Sequence, residues 1–252
     1  MKTKNLFVPA VISGLLMVTQ VMSGQMGPGG PGRGPGGPRG MHTGKVVTGA
    51  PYSASVTNTS VKTLSDGNVI QRTTTGTVAR DAQGRTYSQE TITGMFGQTG
   101  TKTVTFISDP VAGYVYTLNA ETKTATRRAL RVPAEGSSAT EGYHNSARPA
   151  SPNVVTAELG TQVVNGVNAT GKTVTHTVPA GQMGNEKPIV ATTETWYSPD
   201  LQVVVSSKRT DPREGTSTYA LTDIKRTEPS SALFAVPSDY TVKDAPAFGG
   251  RR

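Results

Sequence analysis

Asn165-Gly166-Val167-Asn168-Ala169-Thr170-Gly171-Lys172-Thr173-Val174-Thr175-His176-Thr177-Val178 decides between two unrelated folds. Gly166 to Thr173 satisfies the phosphate-loop pattern in full, and that motif belongs to an α/β nucleotide-binding fold. The mechanism needs a strand before the glycines and a helix after them, so that the helix N-terminus faces the phosphates. Here Asn165-Gly166 is a type I′ hairpin signal between Gln162–Val164 and Val167–Thr170. Beyond Lys172 the pattern is that of a strand: Val174, His176 and Val178 alternate with Thr173, Thr175 and Thr177. The segment is therefore expected to be a β-hairpin that binds no nucleotide, with His176 a partly buried packing residue.

The same grammar extends in both directions. Upstream, Tyr52–Leu64 turns at Ser65-Asp66-Gly67-Asn68 into Val69–Ala79, and Arg80–Arg85 turns the chain into Thr86–Thr93. Thr101–Ser108 ends at Asp109-Pro110, and Gly113–Leu118 pairs with Thr122–Arg128 across Asn119-Ala120-Glu121. Downstream, Ile189–Ser198 and Leu201–Arg209 are joined at Pro199-Asp200, and Asp211–Gly215 leads into Thr216–Arg226. Pro229–Phe234 is expected to form one helical turn, and Val236–Tyr240 closes the domain. Pro133–Asn153, rich in Pro, Ser and Gly, reads as a long surface loop. Thr and Val dominate these runs because branching at Cβ suits a pleated surface. The expected fold is all-β, mainly antiparallel: about ten strands in a single curved meander sheet, half-barrel or sandwich-like, with little helix.

Residues 1–24 have the three parts of a secretory signal: Lys2 and Lys4, an apolar run from Leu6 to Val18, then the small residues Ser23 and Gly24. The apolar run is too short, and too interrupted by Pro9 and Gly14, for a membrane anchor. Residues 25–44, QMGPGGPGRGPGGPRGMHTG, are expected to be a disordered tether, and 244–252 a flexible tail. Gly27-x-Gly29-x-x-Gly32 imitates the dinucleotide-binding pattern, but the surrounding prolines forbid its helix. One β-rich domain, 45–243, remains. The predicted location is the periplasm or cell surface.

The chain of 252 residues has a formal charge of +8 and no cysteine. The missing thiol excludes disulfides, thiolate nucleophiles, Cys-ligated metals and lipid attachment through an N-terminal Cys. The basic residues are scattered. That pattern reads as a solvated face, which permits weak contact with an anionic envelope surface, and no nucleic-acid partner is expected. His-Glu-x-x-His, Gly-x-Ser-x-Gly and Ser-x-x-Lys patterns are absent, and the carboxylates are isolated. No catalytic residue, cofactor or metal is expected. The aromatic side chains Phe106, Tyr114, Tyr116, Trp196, Tyr197 and Tyr219 are the candidate site: either the core, or the lining of a concave sheet that binds an apolar ligand or a partner protein.

Glu194-Thr195-Trp196-Tyr197-Ser198-Pro199-Asp200-Leu201, Asp211-Pro212-Arg213-x-Gly215, Glu228-Pro229 and Leu233-Phe234-x-Val236-Pro237-x-Asp239-Tyr240 resemble a group of uncharacterised exported bacterial proteins. The likeness reaches upstream to Pro179-Ala180-Gly181 and Gly184-Asn185 and covers about half of the chain. It implies no activity. More loosely, a β-meander ending in Leu-Phe…Pro…Tyr is similar to the lipoprotein-carrier half-barrels of the envelope. That resemblance implies a curved antiparallel sheet around an apolar cavity. The chain differs from those carriers in its polar composition and in having no clear covering helices.

Overall fold

The computed structural model describes residues 46–93, 100–130 and 152–245. The expected signal sequence, the tether and most of the 133–153 loop and of the tail lie outside them. Twelve strands form one sheet, curved and not closed. They are β1 (Tyr52–Thr63), β2 (Val69–Arg80), β3 (Thr86–Thr93), β4 (Thr101–Asp109), β5 (Tyr114–Asn119), β6 (Thr124–Ala129), β7 (Val154–Val164), β8 (Val167–Val178), β9 (Ile189–Ser198), β10 (Val203–Asp211), β11 (Gly215–Lys225) and β12 (Thr241–Asp244). The expected helical turn is a 3-10 turn, Ser231–Phe234.

The hairpins arise from local chemistry. Asp109 Oδ1 accepts the backbone N–H groups of Val111 and Ala112, both at 2.9 Å, and Gly113 takes a positive φ of 77° to re-enter the sheet. Asn119 does the same for Glu121 and Thr122 before Lys123 (φ 49°), and Asp211 for Arg213 before Gly215 (φ 92°). Ser198 Oγ plays this part for Leu201 before Gln202 (φ 49°). In each turn a short polar side chain at the strand end satisfies loop donors. The left-handed residue four positions on then reverses the chain.

The sheet departs from a simple meander at two places. Its order is β12-β6-β5-β4-β3-β2-β1-β11-β10-β9-β8-β7. Two meanders, β1–β6 and β7–β11, are joined in the middle by antiparallel pairing of β1 with β11, so the 130–153 connection links strands at opposite ends of the sheet. The chain end then returns as β12, which pairs parallel to β6, from Thr241 beside Thr124 to Asp244 beside Arg127. The expected count of about ten strands becomes twelve. Val154–Thr161, outside the elements expected from sequence, extends β7 to eleven residues.

Two apolar clusters result. The larger gathers Tyr52, Ala54, Val56, Val78, Val167, Ala169, Trp196, Leu201, Val204, Val205, Tyr219 and Leu221. Strict alternation along the ladders would divide these side chains between two faces. They meet because β10 is bulged between Val204 and Ser206 and its pairing with β11 stops at Ser206–Ala220. A bulge bends its strand and increases the local twist. Into this region comes the β7–β8 turn, where the Asn165 amide donates to the Leu221 carbonyl at 2.6 Å. Arg80 closes the other side. Its buried guanidinium donates to the carbonyls of Ala50 (2.8 and 3.1 Å) and Leu201, and lies over the Tyr52 ring at 5.0 Å. The smaller cluster is Ile107, Leu118 and Ala125, flanked by Tyr87, Tyr116, Val236 and Tyr240.

Candidate functional site

The six candidate aromatics do not converge. Trp196 and Tyr219 are buried in the larger cluster, and Tyr197 packs partly buried against it. Tyr116 flanks the smaller cluster, with the Tyr114 ring 6.3 Å away at a tilt of 51°. Side chains opposite one another in a ladder share a face. Tyr116 stands beside Ile107 and Arg127, whereas Phe106 stands beside Ser88 and Thr117. Phe106 therefore points away from Tyr116. Trp196 and Tyr197, adjacent on β9, diverge in the same way.

Trp196 explains the phosphate-loop look-alike. Gly171 is its cross-strand partner. The indole lies directly over that glycine: a Cβ on Gly171 would sit 2.5 Å from Cζ3 and 2.6 Å from Cη2. The second glycine of the apparent motif is thus a seat for a ring. The indole N–H donates to Glu194 Oε1 at 2.6 Å, two residues back on the same strand, so the polar tip is satisfied while the ring is buried. Lys172 is a mid-strand residue between Glu158 and Thr195. No helix follows it; β8 runs on to Val178. His176 is exposed, contrary to its expected part-burial, because it stands next to β7, whose own residues are almost all exposed.

Two shallow depressions bear on the candidate site. One of about 150 Å³ lies between Glu158, Thr170, Lys172, Thr195, Tyr197 and Val204. Tyr197 is the one candidate aromatic in it. The other, of about 300 Å³, lies between Val61, Lys62, Thr210, Asp211, Arg213 and Thr216. Neither is lined by the candidate aromatics together: Trp196 and Tyr219 lie in the larger cluster, and Tyr197 and Tyr116 pack against the larger and the smaller.

The electrostatics near the second depression are structural. The Asp211 side chain is buried and takes hydrogen bonds from Arg213 (2.8 and 3.0 Å) and Arg209 (3.0 Å). The Arg213 contact, more than any other, holds the carboxyl at about 2. Asp81 repeats the design, accepting from the backbone of Gln83 and Arg85 and from the Arg85 guanidinium at 2.5 Å. Burial lifts the Tyr52 hydroxyl and lowers the Arg80 guanidinium from their ordinary ranges. Among the described residues no three His, Asp or Glu side chains gather to hold a metal, and no helix is long and apolar enough to cross a membrane. Buried Arg80 and the exposed β7 edge are the features that sequence reading missed. The alternation of Val155, Ala157 and Leu159 with Thr156, Glu158 and Gly160 is the signal that could have found the second.

No family model and no curated protein matches the sequence. Solved structures similar to the chain include a chain of the Pseudomonas aeruginosa MucA/MucB complex (10% identity, TM-score 0.39, 77% of this chain covered). The match spans 58% of that chain's length. The Mycobacterium tuberculosis lipoprotein LppX is similar at 15% identity and TM-score 0.32, over 72% of this chain and 90% of its own. A LolA-superfamily protein from Nitrosomonas europaea is similar at 10% identity and TM-score 0.30, over 74% of this chain and 90% of its own.

Proposed function

We propose that the chain is an exported, non-enzymatic envelope protein that binds a partner protein on its open sheet. One observation carries this reading. Exposed apolar side chains concentrate at one end of the sheet, with Val154, Val155, Leu159 and Val163 on β7 and Val190 on β9, while Val69, Ile70, Val111, Met183 and Val242 are exposed elsewhere. A lipid carrier keeps such surface inside a cavity, where a chain of hydrocarbon leaves water completely. Apolar side chains on an open edge suit a protein surface that adds main-chain hydrogen bonds as well. The leader-like residues 1–24 and the Gly/Pro-rich 25–44 would deliver and tether the domain.

Native mass spectrometry of the protein isolated from its own envelope fraction tests this reading. The expected spectrum contains the chain with bound protein and no lipid adduct. A stoichiometric lipid that survives desalting would overturn it in favour of a carrier.

A further inference from the structure

We propose that β7 pairs with β7 of a second copy of this chain, antiparallel, to give a continuous 24-stranded sheet. The proposal deepens the protein-binding reading by naming the partner, and it rests on the same exposed edge.

The two ends of the sheet differ. β12 closes one end with four residues that include Lys243 and Asp244. β7 closes the other with eleven residues, no proline and a single charge, Glu158. Long edges are normally blunted by lysine, proline or shortness. β7 keeps one such device, the bulge between Glu158 and Gly160. Its most exposed apolar side chains, Val155 at 62% and Val163 at 68%, lie on either side of that bulge.

About a point between Glu158 and Leu159 the edge repeats its residue types: Val154 and Val163 stand equally far from it, as do Thr156 and Thr161. That symmetry selects a second copy over an unrelated peptide. β8 is regular, so the β7 faces can be assigned from its partners. Val154 stands beside His176, Thr161 beside Thr170 and Val163 beside Asn168, which places Val154, Thr161 and Val163 on one face. A two-fold axis perpendicular to the sheet between Glu158 and Leu159 then matches faces throughout. Val154 falls opposite Val163 of the second copy, Thr156 opposite Thr161, Val155 opposite Gln162 and Ala157 opposite Gly160. Cross-strand Val–Val and Thr–Thr pairs are stabilising. Ten paired residues on each copy supply about ten main-chain hydrogen bonds, the number in a standard interface. The two Glu158 side chains meet near the axis, each with Lys172 of its own β8 alongside. They are the one repulsive element in the register.

Sedimentation equilibrium of the mature chain between about 1 and 100 µM reads the result directly. A monomer–dimer equilibrium is expected. Val155→Lys and Val163→Lys, both at well-exposed positions, should each weaken it about tenfold or more. Glu158→Gln should tighten it. The chain has no cysteine, so Leu159→Cys alone should yield a disulfide dimer, and Thr117→Cys on distant β5 should not. A chain that stays monomeric throughout, or a dimer indifferent to all three substitutions, would overturn the proposal. A monomer that retains a different protein through β7 would also overturn it, while leaving the protein-binding reading intact. A bound lipid overturns that broader reading instead.

Discussion

Replacing Gly171 by alanine is the sharpest test of how the β8–β9 region is built. An added Cβ would lie 2.5–2.8 Å from three carbons of the Trp196 ring. The ring cannot swing away cheaply, because it is buried in the larger cluster and tied at its nitrogen to Glu194. Overpacking of this kind costs about 1–3 kcal/mol. Without the ring the sign reverses: alanine is worth about 0.5–1 kcal/mol over glycine in a strand interior. In a Trp196→Leu background Gly171→Ala should therefore be neutral or mildly stabilising, giving a coupling of about 2–3 kcal/mol in the double-mutant cycle. Urea melts followed by far-UV circular dichroism provide the four stabilities, with the m-value unchanged across the set. Equal costs in both backgrounds, or a wild-type cost under about 0.5 kcal/mol, would refute the stacking argument. Trp196→Ala itself should cost about 3–5 kcal/mol, and a loss under about 1 kcal/mol would return Trp196 to a surface role.

Asp211→Asn should flatten the acid limb of the stability curve. The folded-state carboxyl sits near 2, below its ordinary 3.8, so its contribution is complete above pH 4 and is lost as pH falls towards 2. That loss is about 2 kcal/mol in the wild type, read by urea melts at pH 4.5 and 2, and an identical pH slope in the variant would contradict it. Arg80→Met should cost about 2–3 kcal/mol by stranding the Ala50 and Leu201 carbonyls, and Arg80→Lys should not restore it, since one ammonium cannot replace the guanidinium fork; thermal melts decide. Lys172→Ala should leave nucleotide titrations as flat as in the wild type; ATP binding that vanishes with the substitution would revive the phosphate loop. N-terminal sequencing of the exported form should begin at Gly24 or Gln25, and an intact Met1 would refute the leader.

The hairpins were legible in sequence because each is a local event. Asp109, Asn119 and Asp211 bond to donors two or three residues away, and alternation of Thr with Val needs only the pleat. Ile189–Ser198 and Thr86–Thr93 are accordingly strands over the expected residues. The exclusion of the phosphate-loop fold was legible for the same reason, since a strand pattern continues beyond Lys172. Three things were decided only in three dimensions. β11 chooses β1, some 160 residues away along the chain, and β12 returns beside β6, because pairing partners are selected by burial and edge satisfaction that no short window encodes. Arg80 is buried, against the habit of its residue type, because carbonyls of Ala50 and Leu201 converge on it from distant segments. Trp196 and Leu221 belong to one cluster although alternation assigns them to different faces, and the bulged β10 lies between their strands. Alternation assigns a side chain to a face, but a bulge changes where that face points.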